Sequence, residues 1–167
     1  MPLPDESMPE LGDTLDFMRV IWQLDHALQR TSKRMDREIG VTGPQRLVLR
    51  IVGRIPEISA GQLAHLLHVH PSTLTGVLQR LEGQHLLRRR SDPLDGRRSL
   101  LTLTQKGRSL DTDTEGTVEA AVARVLARTP TARRDIAHGI LTSIAHALLD
   151  LKYDPPAPLR RNAKRPR

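Results

Sequence analysis

The 167-residue chain contains no cysteine. That absence removes disulfides, thiolate metal sites, cysteine nucleophiles and thiol-based sensing of oxidants. Aromatic residues are almost as scarce, with one Phe, one Tyr and one Trp. A core must therefore be assembled from Leu, Val, Ile and Ala, which suits a mainly helical protein. No apolar run approaches the roughly 20 residues of a membrane span. Residues 1–13 are acidic and carry prolines, where a secretory leader would have an apolar centre. A soluble, cytoplasmic protein is expected. The arrangements of common catalysts are missing too. No Ser/His/Asp set, paired carboxylates or glycine-rich phosphate loop stands out, so neither enzymatic activity nor a cofactor is expected.

The formal charge is +7, but its location matters more than its size. Arg160, Arg161, Lys164, Arg165 and Arg167 crowd the last nine positions without an acid, leaving only +2 for the rest of the chain. More telling is the local +3 over residues 88–98, where five arginines face two aspartates. There Asp92-Pro93-Leu94-Asp95-Gly96-Arg97-Arg98 clusters the residues that reverse a chain, between two apolar-polar stretches around residues 86–90 and 99–103. This reads as an exposed, positively charged β-hairpin.

Upstream the pattern is helical. Leu11, Leu15, Met18 and Trp22, with Ile21, Leu24 and Leu28 beside them, recur at three- and four-residue steps and predict a long helix ending near Gly40. Thr42 and Gln45 have capping-box spacing, with Pro44 in the first turn, and Leu47, Val48, Ile51 and Val52 are the expected buried face of the helix that follows. Ser59 and Gln62 repeat the capping box for a short helix. After a turn at His68-Val69-His70, Pro71 opens another, in which Leu74, Val77, Leu78 and Leu81 form one apolar stripe. Ser72, Gly76, Gln79 and Gly83 fall opposite, flanked by Thr73, Thr75 and Arg80, giving a polar and uncrowded face. Beyond the hairpin, Thr104 is placed to cap a helix running to about residue 128, with a bend expected within the poor helix formers at 111–117. Thr129 and Pro130 precede a last helix with Ile136, Ile140, Ile144, Leu148 and Leu151 on one stripe. Two helices joined by a tight turn and followed by a basic hairpin make a winged helix-turn-helix, which points to DNA.

In this order of elements the chain resembles the MarR (multiple antibiotic resistance regulator) family of transcription factors. The residues that carry the resemblance are Ser72-Thr73-Leu74-Thr75, Gln79-Arg80-Leu81-Glu82, and the hairpin tip at 92–98 leading into Leu101-Thr102-Leu103-Thr104-Gln105-Lys106-Gly107. It is strong over residues 42–107 and architectural elsewhere. It implies a mainly α fold with a small β-hairpin wing, and a short strand near Ile58. A flexible N-terminus is expected at 1–10, a single domain at 11–153 and a disordered basic tail at 154–167. Within the domain, residues 42–103 would form the DNA-binding lobe, and 11–40 with 104–152 the dimerisation helices. The family usually has glycine just before and just after the reading helix. Here those places fall to His68 and His85, and histidine visits left-handed backbone more readily than most residues.

A sequence-specific regulator, acting as a homodimeric repressor on a pseudo-palindromic operator, is the reading that follows. The expected base-reading residues are Ser72, Thr73, Thr75 and Gln79, with Arg80 beside them and Gly76 allowing close approach. Arg97 at the hairpin tip is suited to the minor groove, and the resemblance makes it the wing arginine that Asp95 helps to hold. Arg88, Arg89, Arg90 and Arg98 would meet phosphates or only keep the wing solvated. From the resemblance alone come a small aromatic or phenolic effector and Trp22 as a residue lining its pocket; an apolar stripe is more often a core or dimer interface. His65, His68 and His70 invite a zinc reading, but no acidic or thiolate partner is near, so no metal is expected. The competing readings are a winged helix that binds an acidic protein partner, and a nonspecific nucleoid protein led by its basic tail.

Overall fold

The computed structural model describes residues 10–151, so the expectations for residues 1–9 and for the basic tail lie outside the described residues. The described residues form two compact units, the first ending at residue 124 and the second beginning at 125. In the first, α1 (Gly12–Ile39) ends where Gly40 takes up left-handed backbone at φ 73° and donates its N–H to Asp36 O. α2 (Gly43–Arg54) begins with a complete capping box. Thr42 Oγ1 accepts from the Gln45 N–H, and Gln45 Oε1 accepts from the Thr42 N–H at 2.8 Å. Ser59 and Gln62 repeat the device at α3 (Ala60–Leu66). α4 (Pro71–Gly83) follows, then β1 (Leu87–Ser91) and β2 (Ser99–Leu103), antiparallel with Leu87 opposite Leu103 and Ser91 opposite Ser99.

The strand expected near Ile58 is a single bridge between Ser59 and Leu100, supported by the Leu101 N–H donating to Ile58 O. Through it the wing's base is tied to the turn before α3. The buried cluster is aliphatic, as the scarcity of aromatics requires. Val48, Leu49 and Val52 of α2 meet Leu63, Leu74, Leu78 and Leu81 of the two-helix reader and Leu87, Leu101 and Leu103 of the hairpin.

Two expectations need correction. Leu47 is not on the buried face of α2. It is 52% exposed, while Gln45, Arg46, Val48, Leu49 and Val52 are buried. The inward stripe is Gln45, Val48, Leu49 and Val52, rotated by part of a turn because it includes a polar capping residue that hydropathy alone passes over. The bend expected after Thr104 is a complete break. α5 (Gln105–Leu110) and α6 (Val118–Ala127) are separated by residues 111–117. Gly116 sits at φ 77°, Thr114 Oγ1 donates to Thr112 O, and Thr117 Oγ1 caps α6 by accepting from the Ala120 N–H. These local side-chain bonds compete with the helical ladder.

The break is held by Arg46, 1% exposed. Its guanidinium donates to Leu110 O at 2.7 Å, to Thr112 O at 2.6 Å and to Thr114 Oγ1 at 3.2 Å, and it pairs with Glu119. In the second unit, α7 (Thr131–Leu149) contains no buried residue, and its Ile136 and Leu148 are 63% and 58% exposed. No helix among the described residues is long and apolar enough to cross a membrane.

Replacing Arg46 by alanine strands three acceptors and the Glu119 carboxylate against α2. A loss of about 3–5 kcal/mol of unfolding free energy is expected. Urea denaturation of Arg46→Ala beside wild type checks this, and a loss below about 1 kcal/mol would show that water replaces the guanidinium without strain.

A candidate nucleic-acid interface

α4 presents two faces. Leu74, Leu78 and Leu81 are at most 3% exposed, whereas Ser72, Thr73, Thr75, Gly76, Gln79 and Arg80 are all exposed. A Cβ added at Gly76 would meet nothing within 4 Å, so the middle of the outer face is open to close approach. The helix is bracketed by two left-handed histidines, His68 at φ 51° and His85 at φ 58°. Each completes a helix end of the kind glycine usually makes. Val69 N–H donates to Ala64 O after α3, and Leu86 N–H donates to Leu81 O after α4. Histidine thus takes the backbone role of glycine without shifting the turn.

The start of α4 holds an arrangement the sequence did not reveal. His70 is its N-cap, its imidazole Nδ1 accepting from the Ser72 N–H and lying 2.7 Å from Ser72 Oγ. One turn on, Thr75 Oγ1 donates to Pro71 O at 2.8 Å.

In the wing the arginines divide. Arg88 donates to Thr102 Oγ1, Arg89 pairs with Glu82 at 2.9 Å, and Arg90 pairs with Glu57. Arg98 reaches Asp92 at 3.8 Å and Gln62 at 3.5 Å. The Arg97 guanidinium is exposed and has no hydrogen bond or ion pair among the described residues. Asp95 serves it differently from the expectation, its carboxylate accepting from the Arg97 backbone N–H at 3.0 Å rather than gripping the guanidinium. Asp92 does the same for Leu94, and the Arg98 N–H donates to Asp95 O. Two successive Asx turns therefore shape the tip and aim Arg97 outward.

Two other candidates lie elsewhere. His65 and His68 stack at a tilted 6.1 Å between centroids, and no group of three or more His, Asp or Glu forms a metal site among the described residues. Trp22 is 77% exposed on α1. It does not line the large cavity of this unit, about 1110 Å³, which opens between α1, α2 and the start of α6 and is walled by Leu28, Leu47, Val118 and Val122. Of its cations, Arg50 is paired with Asp111 and Asp113 and Arg124 with Glu115, leaving Lys33 without an ion-pair partner among the described residues. These lining residues are distant in sequence and share no motif, so no linear pattern announces the cavity.

Residues 41–99 match the family model described as MarR family. Over that stretch the sequence is similar to the MarR family. It is 38% identical over 90 residues to the HTH-type transcriptional repressor Rv2887 of Mycobacterium tuberculosis, a match covering 54% of this chain and 65% of that relative. Among solved structures, the PcaV transcriptional regulator of Streptomyces coelicolor, in complex with its natural ligand, superposes with a TM-score of 0.66 at 24% identity, over 84% of this chain and 99% of that one. The MepR–DNA complex of S. aureus gives 0.64 at 17% identity, over 79% and 97%. At these identities the structural neighbours show the fold alone, a winged helix with flanking helices.

The turn after α4 can be tested directly. His85→Val places a β-branched residue in left-handed backbone and is expected to cost about 1–2 kcal/mol, while His85→Gly holds or raises the melting temperature. Thermal unfolding of both variants checks the pair; equal destabilisation would mean that the imidazole, not the backbone, matters there.

Proposed function

We propose that this chain is a sequence-specific regulator of transcription, a repressor that binds double-stranded DNA as a homodimer on a pseudo-palindromic operator. The observation that carries the reading is an open polar helix face beside a wing whose tip arginine is the one wing guanidinium with neither a hydrogen bond nor an ion pair among the described residues. α4 would lie in the major groove, with Ser72, Thr73, Thr75, Gln79 and Arg80 at base edges or phosphates. Arg97 would enter the adjacent minor groove. Residues 42–103 would act as the DNA lobe, and 11–40 with 104–152 as the dimerisation helices. Exposed apolar side chains on α1, among them Leu15, Phe17 and Trp22, support the latter, because an isolated subunit would leave them in water. The name of the mycobacterial relative and the DNA held by the S. aureus neighbour agree with this reading.

Fluorescence anisotropy on the intergenic duplex upstream of the gene, beside a scrambled duplex, tests it. Arg97→Ala is expected to weaken binding to the A·T-flanked site about tenfold or more and to leave the scrambled duplex nearly unchanged. An unaltered affinity would favour a protein-binding wing. Equal binding to both duplexes by the wild type would favour nonspecific attraction led by the tail.

The cavity beside α1 and α2 is the place for an effector. Its apolar walls and the unpaired Lys33 suit a small aromatic or phenolic compound bearing an acid. A panel of benzoate-like acids should include one that raises the melting temperature and lowers DNA affinity, both effects being blunted in Lys33→Met. A panel without any such member would remove ligand release from the mechanism.

A further inference from the structure

The first turn of α4 is short of hydrogen-bond donors. Pro71 has no N–H. The Ser72 N–H is spent on His70 Nδ1, and the Thr73 and Leu74 N–H groups both donate to His70 O, at 3.0 and 3.3 Å. The side chains follow suit. His70 Nδ1 accepts the Ser72 N–H at 3.3 Å, which favours the tautomer with the ring proton on Nε2. In that tautomer the 2.7 Å contact with Ser72 Oγ has the hydroxyl donating to the ring. At Thr75 the sense is fixed by the partner, because the Pro71 carbonyl can only accept. With the ring proton on Nε2, both hydroxyls have given up their proton within the protein. What they still offer outward is lone pairs, and at Thr75 a methyl group as well. Thr73 keeps its hydroxyl uncommitted among the described residues.

We propose that Ser72 and Thr75 are acceptor-only base readers, and that His70 is the residue that makes Ser72 so. The inference rests on α4 lying in the major groove. Every base pair shows one exocyclic amino group there, on adenine N6 or cytosine N4, while guanine O6 and N7 and thymine O4 are acceptors. An acceptor-only hydroxyl selects the strand on which the amino-bearing base stands. It welcomes adenine or cytosine and opposes guanine or thymine, because two acceptors face each other across a desolvated contact. An unconstrained serine or threonine would rotate its hydroxyl and accept either partner. Here the protein's own hydrogen bonds convert permissive residues into discriminating ones. Donor readout is left to Gln79 and Arg80, further along the same face. His70 acts through Ser72 and is a positioning residue, with Nε2–H left over as an outward donor.

The test uses the full wild-type chain and a duplex selected from a random pool. The positions read by each hydroxyl are located as those whose base preference disappears in Ser72→Ala or Thr75→Val. At those positions the selected base should be adenine or cytosine on the contacted strand. Replacing adenine by purine, or cytosine by 2-pyrimidinone, deletes the amino group and is expected to lower wild-type affinity about tenfold. A 7-deaza base, which deletes the N7 acceptor, should leave affinity within about twofold. His70→Ala should widen the preference at the Ser72 position toward guanine or thymine, a change in specificity that a purely structural cap would not produce. Sensitivity to 7-deaza substitution in place of amino deletion overturns the proposal. So does sequence-specific binding in which neither hydroxyl affects any base preference. A pool that yields no enriched sequence overturns the DNA reading itself, which is a separate and recognisable outcome.

Discussion

A guanidinium with 1% exposure cannot lose its charge, so every direction in which it can donate must meet an acceptor. Arg46 meets this demand by gathering the carbonyls of Leu110 and Thr112, the Thr114 hydroxyl and the Glu119 carboxylate. These groups run from the last residue of α5 through the 111–117 segment into the first turn of α6, where an unbroken helix would have kept its carbonyls for itself. The break and the buried arginine therefore require each other. Arg50 extends the attachment to Asp111 and Asp113. Space confirms how close the approach is, since a Cβ at Gly53 would lie 1.9 Å from Asp111 Oδ2. α2, which carries Arg46, Arg50 and Gly53, is also the helix against which the two-helix reader and the hairpin pack.

The candidate interface is built from groups in two conditions. Most wing arginines are satisfied within the protein, by Glu57, Glu82, Asp92 and Thr102, and serve to hold the hairpin to the rest of the lobe. Arg97 is kept apart from all of these by two Asx turns, in which Asp92 engages the Leu94 N–H and Asp95 the backbone N–H of Arg97 instead of its guanidinium. The reading helix shows the same division on a smaller scale. His70 and Pro71 engage the hydroxyls of Ser72 and Thr75, while Gln79 and Arg80 stand uncommitted among the described residues. Prior engagement within the protein lowers the number of arrangements a side chain must give up on binding, and restricts what it can recognise.

Much of the architecture was legible in the sequence because its causes are local. Both capping boxes span four residues, the turn residues cluster at the wing tip, and Gly40 and Pro71 mark helix boundaries by their own backbone preferences. Even the two histidines in left-handed backbone could be anticipated from their places around the reading helix. Leu47 misled because hydropathy ranks a leucine above Gln45 and Arg46, and only the surrounding contacts make those two the inward residues. The extent of the break at 111–117 was hidden for the same reason, its carbonyls being held by a side chain from α2.

The sequence by itself determined an aliphatic helical core, the order of helices and hairpin, the capped helix starts, and a basic wing beside a polar helix face. All of these follow from composition and from interactions reaching no further than about one helical turn. Only the tertiary structure decided which charges remain available. Arg46 and Glu119 are 73 residues apart, and Arg90 and Glu57 are 33 apart, so nothing in the linear pattern links them. The direction of the Ser72 hydroxyl, though set by a residue two positions away, depends on the imidazole being turned in to cap α4. Charge and hydrogen-bond capacity belong to residue types, but whether they are spent inside the protein or left for a partner is settled by where the fold places their neighbours.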